Sequence, residues 1–85
     1  MKRFEYVIKD EVGIHARPAG MLVKEAKKYQ SKIIISKDGK SAEATKLMAV
    51  MGLGVKCGQK VDVEISGDDE ASAYEAVKAF FEANL

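Results

Sequence analysis

With only one cysteine, Cys57, the chain can form no internal disulfide. With only one histidine beside it, no Cys/His set at zinc-ligand spacing exists, so neither a metal nor a cofactor is expected. A lone thiol among apolar residues and glycines is read as an inert small side chain. Tryptophan is absent and aromatic residues make up 7% of the chain, which leaves no platform for stacking bases. The formal net charge is only +1, so there is no bulk attraction to nucleic acid. No apolar run approaches the roughly 20 residues that cross a bilayer. The start, Met1-Lys2-Arg3-Phe4-Glu5, is too charged for a signal peptide. Together these absences predict a soluble cytoplasmic protein that binds no nucleic acid and inserts into no membrane. There is no internal repeat, linker or low-complexity tract.

What is present is ordinary globular material, 47% hydrophobic and 32% charged over 85 residues. That is enough for one domain spanning 1–85, burying somewhat more than roughly 60% of its unfolded surface. Strand formers dominate residues 3–8, with Phe4, Tyr6 and Ile8 on one face. Residues 32–37 are β-branched and apolar, Asp38-Gly39 is a two-residue hairpin signal, and 40–44 return as a short polar edge strand. Residues 61–66 alternate as a fourth strand with one buried face.

Three helices complete the pattern. Over residues 16–29 a turn of about 100° per residue gathers Ala19, Leu22, Val23 and Ala26 on a core side. Arg17, Met21, Lys24 and Lys28 fall opposite, with Gly20 and Lys27 at the edge of that basic face. Thr45 is placed to cap a short helix over 46–51, and Gly52 and Gly54 to end it. Its apolar set, Leu47, Met48, Val50 and Met51, is too large for one buried stripe, so part of it is expected at the surface. Asp68, Asp69 and Glu70 suit the positive end of a helix over 70–84. There Ala73, Ala76, Val77 and Phe80 are expected to face the core, and Glu75, Lys78 and Glu82 water. The order β-α-β-β-α-β-α predicts an α+β open-faced β-sandwich, a four-stranded antiparallel sheet covered on one face by three helices.

The chemistry concentrates in Gly13-Ile14-His15-Ala16-Arg17-Pro18-Ala19, which holds the only histidine and the only proline. Proline is favoured in a first helical turn, so His15 is expected at the entrance of the first helix, beside unpaired N–H groups and the positive end of the dipole. Such a place receives a phosphate readily. Arg17 adds a rigid cationic fork. The basic helix alone also permits a small nucleic-acid-binding domain, although no aromatic residues stand out for it.

That heptapeptide resembles the active loop of the HPr family, the histidine-containing phosphocarriers of the bacterial phosphoenolpyruvate-dependent sugar phosphotransferase system. Lys-Asp-Gly-Lys at 37–40, Leu-Met-Ala-Val-Met at 47–51, Leu-Gly-Val at 53–55, Gly58 and Ser-Gly-Asp-Asp-Glu at 66–70 extend the likeness along essentially the whole chain. The resemblance implies that enzyme I phosphorylates Nδ1 of His15 and that the phosphoryl group passes to the A domains of sugar-specific enzymes II. It implies a phosphate-handling role for Arg17 within the loop and helix start Ala16-Arg17-Pro18. It further implies a partner surface at Gly20, Met21, Lys24, Lys27, Leu47, Met48 and Met51, and a monomeric carrier more than an enzyme in its own right. An adaptor that binds a transcription factor without carrying phosphate would be expected to lack the histidine, which is present.

Two positions depart from the family pattern. Many members from Gram-positive bacteria carry a regulatory serine where this chain has Lys46, which predicts that regulation by the serine-directed kinase is absent. Val12 replaces a serine or asparagine able to bond near the active loop, so the loop is expected to be held differently.

Overall fold

The structure, a computed structural model, describes residues 1–85. Its elements are β1 (Lys2–Val7), α1 (Ala16–Ala26), β2 (Lys32–Lys37), β3 (Lys40–Glu43), α2 (Leu47–Gly52), β4 (Lys60–Ser66) and α3 (Glu70–Asn84). The strands form one antiparallel sheet in the order β1-β4-β2-β3. Phe4 pairs with Val63, which in turn faces Ile35 on its other side, so the alternating apolar residues of three strands line up on one face. The hairpin between β2 and β3 turns on Asp38 at φ 49° and Gly39 at φ 82°. Both values are left-handed, as the tight turn matching strand twist requires.

The three helices cover that apolar face and leave the other to charged pairs such as Arg3 with Asp62. Ala19, Leu22, Val23 and Ala26 of α1 are buried as their spacing predicts. Val50 and Leu53 anchor α2, which packs beside α1. No helix is long and apolar enough to cross a membrane.

Four local expectations are corrected. Helix α1 ends at Ala26 rather than at residue 29, because the N–H groups of Lys28 and Tyr29 bond three residues back, to Glu25 and Ala26. The last turn thus tightens out of the α-helix as the chain swings toward β2. Thr45 does not cap α2. The cap is Lys46, extended at φ −116° and without a side-chain bond, whose carbonyl accepts the first helical bond from Val50 at 3.0 Å.

In α3 the buried stripe is Ala73, Val77 and Phe81, while Ala76 and Phe80 are only partly covered. Phe81 is chosen over its neighbour because its ring meets Phe4 and Tyr6 edge-on, each with centroids 5.6 Å away. Lys78 is half-covered rather than out in water, its Nζ 5.6 Å from the centre of the Tyr74 ring.

Asp69, the N-cap of α3 as the acidic helix start predicts, also ties distant segments together. Its carboxylate accepts the N–H groups of Gln30 and Ser31, each at 2.9 Å, and the Ser31 hydroxyl. The Ser31 hydroxyl bond, followed by the backbone donors, holds this carboxyl below its ordinary value.

Candidate functional site

The loop between β1 and α1 is pinned at both sides before it delivers His15. The N–H of Asp10 donates to the Leu85 carbonyl at 2.8 Å, and the N–H of Gly13 to the Asp10 carbonyl at 3.0 Å. Ile14, buried, donates its N–H to the Val55 carbonyl at 3.0 Å. Gly13 is required here for two reasons. Its φ is 82°, and a Cβ would lie 2.3 Å from the Val55 carbonyl oxygen.

His15 is the N-cap of α1, extended at φ −113°, with its side chain 39% exposed and free of any capping bond. Its carbonyl accepts the N–H of Ala19 at 2.9 Å, which starts the helix. The N–H groups of Ala16 and Arg17 have no acceptor, and Pro18, third in the helix, has no N–H to satisfy. Two free donors and the positive end of an 11-residue helix therefore stand beside the imidazole.

An open cleft of about 260 Å³ is lined by Asp10, His15, Arg17, Pro18, Met21 and Asn84. Of the expected residues it brings together His15, Arg17, Pro18 and Met21. Pro18 is buried, while Ala16 and Arg17 are exposed. The Arg17 guanidinium makes no ion pair or hydrogen bond, and neither do Lys24 and Lys27, whereas Lys28 is paired with Glu25 at 3.1 Å. Of these cations only Arg17 lines the cleft. Lys24 and Met21 line a neighbouring cleft with Glu25, Lys28 and Phe80.

On α2 the apolar surplus divides as the pattern requires. Leu47 is 39% and Met48 78% exposed, Val50 is buried, and Met51 is partly buried against the core. Helices α1 and α2 pack against each other, and Gly20 of α1 is partly exposed. The far end of α2 is fastened by Lys37, whose Nζ donates to the carbonyls of Leu53 and Gly54 at 3.2 and 3.1 Å. At the near end the Lys46 ammonium lies 3.3 Å from the Glu43 carboxylate.

Two cleft residues, Asp10 and Asn84, escape sequence reading. Asn84 arrives by tertiary packing of α3. Asp10 did leave a signal, since an aspartate two residues before a backbone donor forms a side-chain turn. The Val12 N–H indeed donates to Asp10 Oδ1 at 2.9 Å. The side chain of Val12 is 65% exposed, so at this position the backbone and not the side chain ties the loop.

The family model described as the PTS HPr component phosphorylation site matches residues 2–83. The phosphocarrier protein HPr of Mycoplasma genitalium is 39% identical over 85 residues, covering 99% of this chain and 97% of its own. Among solved structures, HPr from Thermoanaerobacter tengcongensis superposes with a TM-score of 0.92 at 40% identity, over 98% of this chain and 93% of that one. Crh, the catabolite repression protein of Bacillus subtilis described as a swapped dimer, gives a TM-score of 0.79 at 32% identity over 100% and 98%. The order of elements agrees with these matches, which run over nearly the full length: the chain belongs to the HPr family of phosphotransferase-system phosphocarriers.

Proposed function

We propose that His15 is the residue that carries the phosphoryl group, on Nδ1, receiving it from phosphorylated enzyme I and donating it to enzyme II A domains during phosphoenolpyruvate-dependent sugar uptake. The observation that carries this reading is the half-exposed imidazole beside two unoccupied N–H donors and an unpaired guanidinium. The lone pair of Nδ1 forms the new N–P bond while the donor's N–P bond breaks and its electron pair returns to the donor nitrogen. Ala16, Arg17 and Pro18 frame the incoming group: the first two offer N–H donors, Arg17 adds its charge, and Pro18 removes a donor that would otherwise compete. Stabilisation of charge by donors already in place is the main aid such a transfer needs. A phosphoryl group held by few donors in an open cleft also leaves easily, as a carrier requires.

In this reading Gly20, Met21, Lys24, Lys27, Leu47, Met48 and Met51 receive the partners. Exposed apolar side chains ringed by unpaired cations favour a fast, transient complex with acidic proteins. The protein works as a monomer in the cytoplasm. Lys46 offers no hydroxyl to a serine-directed kinase and sets a fixed positive charge at the start of α2, so that branch of regulation is absent. Purified HPr kinase is expected to leave the protein unmodified, and normal modification of Thr45 would overturn this part.

The carrier role is tested by reconstitution. With phosphoenolpyruvate, enzyme I and an enzyme II A domain, phosphate is expected to reach the A domain only when the protein is added. His15→Ala is expected to abolish the relay, and a relay that persists with His15→Ala contradicts the assignment.

A further inference from the structure

Asp10 is the one acidic side chain lining the His15 cleft, and Arg17 is the only other residue there with a fixed charge. Asp10 Oδ1 lies 3.9 Å from His15 Nε2, beyond hydrogen-bond length but well within electrostatic reach. The carboxylate is held in place. The same oxygen accepts the Val12 N–H, the Asp10 N–H donates to Leu85, and the Asp10 carbonyl accepts from Gly13. Its side chain is 31% exposed, so the ring and the acid face each other across a partly desolvated gap.

A neutral imidazole carries its proton on one of two nitrogens, and the group facing each nitrogen decides which. A fixed carboxylate on the Nε2 side favours the Nε2–H form. Nδ1 is then the nitrogen with the free lone pair. When that lone pair takes the phosphoryl group, the Nε2 proton stays in place and the ring gains positive charge. No proton needs to move in either direction of transfer. The carboxylate lies where that charge develops.

Building on the phosphocarrier reading, we propose that Asp10 is a positioning residue that selects the Nε2–H tautomer of His15 and stabilises the ring while Nδ1 carries phosphate. It acts through the imidazole and touches no phosphate. The position also accounts for the bare side chain at Val12, since Asp10 supplies the loop's tie and the ring's counter-charge together.

The discriminating variant is Asp10→Asn, because its amide oxygen still accepts the Val12 N–H while the charge is lost. Ring nitrogen shifts of the unphosphorylated protein, read by NMR at about pH 9 where imidazole side chains are neutral, report the tautomer. The wild type is expected to be mainly Nε2–H and Asp10→Asn to shift toward an even mixture. Single-turnover transfer from phosphorylated enzyme I is expected to slow about tenfold with KM unchanged, the scale of one partly screened charge. Asp10→Glu is expected to recover part of both losses. An unchanged tautomer ratio and rate in Asp10→Asn would overturn the proposal and leave Asp10 as a loop tie only. A wild-type protein that takes no phosphate would overturn the carrier reading, and the tautomer ratio, measured without donor, decides the part of Asp10 independently.

Discussion

Gly13→Ala and Gly39→Ala test what holds His15 in position, because the two glycines share a φ of 82° and differ only in their surroundings. The left-handed backbone penalty for alanine is about 1–2 kcal/mol, offset in part by about 0.4–1 kcal/mol from a less flexible unfolded chain. Nothing lies within 4 Å of a Cβ at Gly39, so this net cost of about 1 kcal/mol is the whole effect there. At Gly13 the Cβ would meet the Val55 carbonyl oxygen at 2.3 Å and the Lys56 Cα at 2.7 Å, both backbone atoms that cannot swing aside. The loop must move away, which breaks the Ile14 to Val55 bond and strands a buried donor, adding about 1–3 kcal/mol. The sum for Gly13→Ala is about 2–4 kcal/mol, a large part of the roughly 4–13 kcal/mol expected for a domain of this size. Thermal unfolding followed by circular dichroism is expected to show a loss of about 4–8 °C for Gly39→Ala and about 8–32 °C for Gly13→Ala. Phosphoryl acceptance is expected to fall in Gly13→Ala alone, since only that loop carries His15. Equal losses of Tm in the two variants would refute the reasoning, because the close approach to residues 55 and 56 would then carry no weight.

Phe81→Ala is expected to cost about 3–5 kcal/mol in urea denaturation, and Phe80→Ala, only partly buried, clearly less; equal costs would contradict the assigned register of α3. Asp69 is held below its ordinary value chiefly by the Ser31 hydroxyl. Its stabilising effect is therefore full above about pH 4, the ordinary carboxylate range, and fades as pH falls through the lowered folded value. Acid unfolding curves are expected to show a shallower loss of stability below that range in Asp69→Asn, which starts less stable at neutral pH. Gly20→Ala adds a methyl group to α1 where nothing lies within 4 Å. It is expected to stabilise the protein by about 0.8–1 kcal/mol while raising KM for enzyme I, a pairing that separates partner contact from folding.

The strands were legible in the sequence because Phe4 and Tyr6, and Val61, Val63 and Ile65, keep a period of two, and because Asp38-Gly39 admits few turns other than the one observed. The His15 loop was legible because proline, arginine and histidine sit together at the start of an amphipathic helix. The register of α3 was not, since Phe80 and Phe81 are both aromatic and only packing against Phe4 and Tyr6 selects between them. The cross-link from Asp69 to Ser31 spans 38 residues and leaves no local trace. Asp10 was hidden for a related reason, because its approach to His15 depends on the loop folding back under bonds from Leu85 and Gly13. Chain-local patterns therefore pointed to the proposed nucleophile, whereas its contact with Asp10 depended on the tertiary structure.

The most direct test is intact-mass spectrometry of the protein and of His15→Ala after incubation with phosphoenolpyruvate and a catalytic amount of active enzyme I. The account predicts one added phosphoryl group on the wild type, lost on brief acid treatment as a phosphorus–nitrogen bond should be, and none on His15→Ala. No mass gain on the wild type, or an acid-stable gain that survives in His15→Ala, would contradict the assignment of His15 as the carrier.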